Sequence, residues 1–424
     1  MRFKKVDPQV LQHDVERRGF LPVPLDWQDP KGPSIDLFYR LIPAYGGSAD
    51  DRDKPVVVVI NGGPGIPASF YRPLDYNYAT QSMPHGGLDR FKYLLHSFRV
   101  LIVDQRGTDG CSAPLDMDDP ELDPAYVARY FSSDSHALDY RAVIEALIPN
   151  EDPFFIIAQS YGGMPGMQFV GHPGRRAKGI VFSSSALPFE DPIDSALGRR
   201  REQLRLNLHL RSVIPDIAER IGRVQAHYEA LKLDPSLFHG LFVLLGKDVP
   251  GVWEPGVVAR LDKILAQSRE ELLADIEAGQ EAPNLLNYIL SSVNFSPGFT
   301  DRTLAAQSSR AIPFESWMID ENVMLMQTGQ DGTWRQELIN RFDAAPPPGT
   351  AFPSLEALRD AIGKTQLLFT AADNDAFVPA DVYKKAVEKF LVPGHTEMRT
   401  LPGGHSAIFL EKGYEAFIEW SRDK

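Results

Sequence analysis

The chain is nearly without cysteine. Cys111 stands alone among 424 residues, so no intrachain disulfide can form, and a thiolate metal site is excluded with it. Long apolar runs are missing as well. No stretch approaches the ~18 apolar residues of a membrane-crossing helix, and Met1–Asp7 leads into no apolar segment of the kind that marks a secretory leader. These absences fit a reducing, cytoplasmic setting. Positive charge is scarce: 44 Lys and Arg face 57 Asp and Glu, a net charge of −13. Nucleic acid and anionic membrane both call for clustered positive charge, so neither is expected as a partner. Internal repeats, a His-Glu-x-x-His metal pair and a Gly-Lys-Ser/Thr phosphate loop are all absent, and no metal or cofactor is expected.

What is present is a series of short, β-branched runs. They fall at Val56–Ile60, Val100–Val103, Phe154–Ile157, Gly179–Phe182, Thr365–Phe369 and Thr396–Leu401. Runs apolar at every position suit strands buried on both faces. Helical patterns lie between several of them, at about Asp134–Leu147, Met164–Val170, Ala380–Phe390 and Ala407–Trp420. Strand alternating with helix predicts a mostly parallel sheet covered on both faces. Glu16–Trp27 and Ile35–Ile42 read as extra strands at an antiparallel edge. The alternation breaks between Pro188 and Ala344, where helical patterns at Leu197–Leu208, Pro215–Leu231 and Val257–Ile276 follow one another. It resumes after the Pro-rich linker Ala344–Gly349. The expected organisation is therefore an α/β core in two parts, 1–187 and 345–424, with a helical cap, 188–344, inserted between them. Such a cap would cover the carboxyl edge of the sheet, where open α/β sheets bind ligands.

The chemistry-bearing groups all follow strands and so share that edge. Ala158-Gln159-Ser160-Tyr161-Gly162-Gly163 joins a strand to a helix, the context of a nucleophile elbow. A serine on that tight turn projects its hydroxyl from the sheet, with the next N–H beside it. Ala158 stands where the G-x-S-x-G pattern has its first glycine, a small enough change to be tolerated. Ser183–Ser185 also follow a strand but lack the glycine-permitted turn. His405, in Gly403-Gly404-His405-Ser406, directly follows a late strand and is the expected base. His395 precedes that strand and belongs to the opposite edge. Asp373 and Asp375 both follow the preceding strand, and either qualifies as the acid that orients the base. Asn61-Gly62-Gly63-Pro64-Gly65 follows the first core strand. Its backbone N–H groups, with that of Tyr161, suit a developing oxyanion. Serine, acid and histidine occur in the chain order of α/β-hydrolases.

Asn61-Gly-Gly-Pro-Gly65, Asp104-Gln-Arg-Gly107, Gln159-Ser-Tyr-Gly-Gly163 and Gly403-Gly-His405 together resemble the prolyl iminopeptidases of the α/β-hydrolase superfamily. The resemblance runs from Ile35 to Leu187 and from Thr365 to the end, and is weak in the cap. It implies an α/β-hydrolase fold and a serine aminopeptidase that releases an N-terminal residue, proline preferred, from short peptides. An acid four residues before a proline is the family pattern, which selects Asp375 ahead of Pro379. The oxyanion donor of the family's glycine loop maps to Gly63, with Asn61 in place of a histidine. Arg106 is expected to brace that loop or the cap, and one extra residue precedes Ser112. Cap glutamates that hold the substrate's free amine map to Glu321, with Glu315 and Asp320 as weaker candidates. The same triad would equally serve an esterase, lactonase or small-amide hydrolase, since both routes pass through an acyl-enzyme. A hydrolase-fold binding protein would have no need of an intact nucleophile, base and oxyanion loop.

Overall fold

A computed structural model describes residues 17–65, 91–108, 115, 122–233, 246, 250–280, 351–422 and 424. Eight strands form one sheet: β1 (Arg17–Pro24), β2 (Ser34–Ile42), β3 (Val56–Ile60), β4 (Arg99–Val103), β5 (Phe154–Gln159), β6 (Gly179–Ser183), β7 (Gln366–Ala372) and β8 (Thr396–Leu401). Their order across the sheet is β1-β2-β4-β3-β5-β6-β7-β8. The pairs β1/β2 and β2/β4 are antiparallel and every other pair is parallel. The expected strands are all present, and β7 runs three residues further than expected, to Ala372.

Successive side chains of a strand point to opposite faces, and here both faces are dry. Val56, Val58 and Ile60 enter one core with Ile156 and Ala158 of β5. That core is roofed by α2 (Ser133–Leu147) and α3 (Gly163–Gly171). Val57, Val59, Phe155 and Ile157 enter the other core, where Phe417 and Trp420 project from α10 (Glu411–Arg422).

Two short helices were not foreseen. α1 (Pro124–Tyr130) starts on Asp123, whose carboxylate accepts the Tyr126 N–H, with Pro124 in its first turn. α8 (Leu355–Ile362) starts on Ser354, whose hydroxyl accepts the Ala357 N–H. Both are ordinary side-chain caps.

Between β6 and β7 lie α4 (Pro192–Val213), α5 (Ile217–Ala230), α6 (Glu254–Ala266) and α7 (Arg269–Gln280). The single helix expected over Val257–Ile276 is two. Ser268 breaks it: its hydroxyl accepts the Glu271 N–H at 3.2 Å while Glu271 accepts the Ser268 N–H at 2.8 Å. That reciprocal pair is a capping box, a start signal that overrides continuing periodicity. Leu206, Leu210, Ile221, Val224, Trp253, Val257 and Leu261 give these helices a core of their own. After β7, α9 (Ala380–Val387) packs back on the sheet. The segment 281–350, including the Pro-rich linker, lies outside the described residues.

Arg106 does not brace the glycine loop. Its guanidinium, fully buried, donates to Asp139 from Nε at 2.7 Å and from Nη2 at 2.5 Å. It also donates to the carbonyls of Pro24, Leu25 and Tyr130. Trp27 Nε1 donates to the same carboxylate at 2.9 Å. One ion pair thus ties β1, α1 and α2 together. Burial pushes the Asp139 carboxyl up, against the pull of Arg106. Removing one partner of such a pair leaves an uncompensated buried charge. Asp139→Asn should therefore cost about 3–5 kcal/mol, read as a shifted urea midpoint at unchanged slope. A loss under about 1 kcal/mol would mean that packing alone holds these elements.

Candidate active site

Ser160 ends β5 in a left-handed backbone, φ 58°, and opens a short turn, Ser160–Gly162, into α3. Side-chain residues avoid that region because Cβ crowds the following carbonyl. The turn is held from several sides. The Ala186 N–H donates to the Ser160 carbonyl at 2.9 Å. A Cβ on Gly162 would lie 2.1 Å from the Ile60 carbonyl oxygen, so β3 and the turn touch backbone to backbone. A Cβ on Gly62 would come to 2.6 Å of the Ser160 Cβ and 2.9 Å of its Oγ. The glycine loop therefore lies directly on the serine. Ala158 is fully buried and faces Gly166 of α3, which leaves room for its methyl.

Ser160 remains half-buried, whereas Ser183, Ser184 and Ser185 are all fully buried. The Ser185 hydroxyl donates to the Ala158 and Ser183 carbonyls.

The glycine loop is clamped by Gln105, the neighbour of Arg106. Its carboxamide donates to the carbonyls of Asn61 at 3.0 Å and Gly62 at 2.9 Å, and accepts the Gly65 N–H at 2.8 Å. Gly63 sits at φ 115°. Among the described residues its N–H has no hydrogen-bond partner.

His405 and Asp375 meet across 30 residues. His405 Nδ1 donates to Asp375 Oδ2 at 2.9 Å and lies 3.1 Å from Oδ1. The Phe377 and Val378 N–H groups, each at 2.9 Å, donate to the same carboxylate. An acceptor on Nδ1 places the ring proton there and leaves Nε2 with its lone pair. Asp373 does other work: its Oδ1 accepts the Gly403 N–H at 2.9 Å and the Asn374 Nδ2 at 2.7 Å. It therefore fixes the loop that carries His405. Gln159 Nε2 donates to the His405 carbonyl at 2.9 Å, linking that loop to the end of β5. His395 lies at the opposite end of β8, as expected.

Behind the elbow, Tyr161 is buried with its hydroxyl 3.0 Å from His136 Nδ1. The sequence reading passed over His136, which no motif contains. Burial, with Arg106 nearby, pushes its pKa down to about 3. The candidate amine-binding residues Glu315, Asp320 and Glu321 lie outside the described residues, as does Ser112. Among the described residues, no group of three His, Cys, Asp or Glu is placed to hold a metal ion, and no helix is long and apolar enough to cross a membrane.

Residues 55–232 match the family model of the alpha/beta hydrolase fold. That match, with the sheet order and the serine, histidine and aspartate at its carboxyl edge, gives the chain the α/β-hydrolase fold. Its particular likeness is to proline iminopeptidases. It is 34% identical over 156 residues to the proline iminopeptidase of Aeromonas sobria, an alignment that covers 36% of this chain and 33% of that one. The chain thus spans about a third of the length of that curated relative. Among solved structures, a proline iminopeptidase from Mycobacterium smegmatis is similar at 14% identity and a TM-score of 0.43, over 96% of this chain and 97% of that one. A thermophilic esterase from Thermogutta terrifontis has the same identity and score, over 96% and 98%.

The His136 shift has a measurable consequence. Below about pH 6.5 the unfolded chain takes up a proton at His136 that the folded chain refuses down to about pH 3. Folding stability attributable to this site therefore falls as pH drops through that window, by about 1.4 kcal/mol per pH unit. His136→Gln removes the component, so its unfolding free energy should decline less steeply between pH 6 and 4 in denaturant titrations. Equal slopes would show that His136 is protonated in the folded protein.

Proposed function

We propose that the chain is a serine aminopeptidase that releases an N-terminal residue, proline preferred, from short peptides. One observation carries the chemistry: a half-buried serine in a left-handed turn lies against a glycine loop, at the same sheet edge as an aspartate-bound histidine. The likeness to a proline iminopeptidase supports the substrate.

In this reading Ser160 Oγ attacks the scissile carbonyl, and His405 Nε2 takes its proton. Asp375 holds the ring and stabilises the imidazolium. The N–H groups of Gly63 and Tyr161 donate hydrogen bonds to the carbonyl oxygen as negative charge develops on it. The proton then passes from His405 to the leaving amine, the C–N bond breaks, and the acyl group stays on Ser160 as an ester. Water, deprotonated by His405, hydrolyses that ester and restores the serine. Residues 188–344, of which α4–α7 are the described part, would form the cap. Glu321, or Glu315 or Asp320, would hold the substrate's ammonium through a charge-assisted contact.

Ser160→Ala should lower turnover by a factor on the order of 10⁴ to 10⁶ while thermal unfolding is retained. Substantial residual turnover in a pure preparation would contradict the covalent route. An aminoacyl-arylamide tested with its amine free and acetylated reads the second half of the proposal. Blocking the amine should abolish cleavage. Undiminished cleavage of the blocked substrate would rule out the aminopeptidase and leave an esterase or small-amide hydrolase built on the same triad.

A further inference from the structure

Gln105 lies just past β4 and is 1% exposed. Its own carbonyl accepts the Thr108 hydroxyl at 2.7 Å and the Thr108 N–H at 3.2 Å, so its backbone sits in a closed turn. The next residue, Arg106, is locked on Asp139. The side chain of Gln105 is therefore rooted in a rigid part of the sheet edge. Both Nε2 protons go to carbonyls of the glycine loop, and Oε1 takes an N–H from it. Turned over, the amide would set N–H against N–H at Gly65 and oxygen against oxygen at Asn61 and Gly62, so one orientation fits.

The contact with Gly62 has a chemical consequence. The Gly62 carbonyl belongs to the same peptide group as the Gly63 N–H. A trans peptide group is planar, and its carbonyl and N–H point opposite ways. By holding the Gly62 carbonyl at 2.9 Å, Gln105 turns the Gly63 N–H away from itself. Gly62 lies directly on the Ser160 side chain. The Gly63 N–H is thus fixed one residue from the serine contact, with no hydrogen-bond partner among the described residues. An amide whose carbonyl accepts a hydrogen bond is also a stronger donor.

The peptide group that carries the Tyr161 N–H is held by its carbonyl too, by different means. That carbonyl is Ser160's, and it accepts the Ala186 N–H at 2.9 Å. This is a contact between backbones. At Gly63 the corresponding contact comes from a side chain, and a substitution can remove it.

We propose that Gln105 is a positioning residue for the oxyanion site: through the Gly62 carbonyl it aims the Gly63 N–H at the charge that develops on the substrate oxygen, and strengthens it as a donor. Gln105 itself touches no reacting atom. Its effect falls on the transition state, where that charge is, and not on binding of the ground state. The inference rests on the Ser160 mechanism and is the same for an amide or an ester substrate.

The test uses two uncharged variants of the full chain. Gln105→Met removes all three contacts at similar size, and Gln105→Asn keeps the amide but withdraws it by one methylene. The probe is an aryl trifluoromethyl ketone. The Ser160 oxygen bonds to its carbonyl carbon, the carbonyl electron pair moves to oxygen as an oxyanion, and His405 takes the hydroxyl proton. The matching trifluoromethyl carbinol cannot form that adduct. Fluorine NMR reads the affinity of both without turnover. Each variant should weaken the ketone by about tenfold to a hundredfold. On the arylamide or arylester that the unaltered protein cleaves, kcat should fall by a similar factor. Carbinol affinity and KM should stay within about twofold. Equal weakening of ketone and carbinol would mean a merely structural role and would overturn the inference, as would an unchanged ketone affinity. The Asn variant decides the matter should the Met variant fail to fold. A ketone that forms no adduct on the unaltered protein overturns the Ser160 mechanism, and the inference with it.

Discussion

The backbone of Ser160 is the constraint on which the rest of the structure depends. A left-handed conformation at a residue with a Cβ costs about 1–2 kcal/mol, and local structure must supply that. It does so by crowding. The turn is wedged between the Ile60 carbonyl, the Ala186 N–H and the glycine loop. Those contacts come from the ends of the two parallel strands that flank β5: the Ile60 carbonyl and the glycine loop from β3, and the Ala186 N–H from beyond β6. The strain persists because it lies at the centre of an eight-stranded sheet whose core strands are dry on both faces.

The neighbouring groups are tied to that turn by polar contacts through backbone. Gln105 clamps the glycine loop by two carbonyls and one N–H, and Gln159 holds the His405 loop by its carbonyl. Asp373 fixes Gly403, and two N–H groups fix the Asp375 carboxylate. The helices between β6 and β7 reach the same place through Arg205 and Phe377.

Much of this is legible in the sequence, for definite reasons. Strands buried on both faces leave unbroken β-branched runs, so Val56–Ile60 is found to the residue. A serine that must turn tightly needs small neighbours, which makes the elbow visible. The choice between Asp373 and Asp375 stays open on the residues alone, because both acids follow β7 and both are used, one on the histidine and one on its loop. α1 and α8, at 7 and 8 residues, are too short for periodicity to register, although Asp123-Pro124 and Ser354 are cap signals that mark them. Arg106 is misread because its partners are 24 to 82 residues away, and nothing local announces an ion pair with Asp139. His136 is invisible for the same reason.

The central claim is that the strained Ser160 is the nucleophile. A fluorophosphonate forms a covalent bond only with an activated serine, and peptide mass spectrometry locates the adduct. The account predicts one adduct per chain, on the peptide that contains Ser160, formed in step with loss of hydrolytic activity. Labelling at Ser183–Ser185 instead, or full inactivation with Ser160 unmodified, would contradict it.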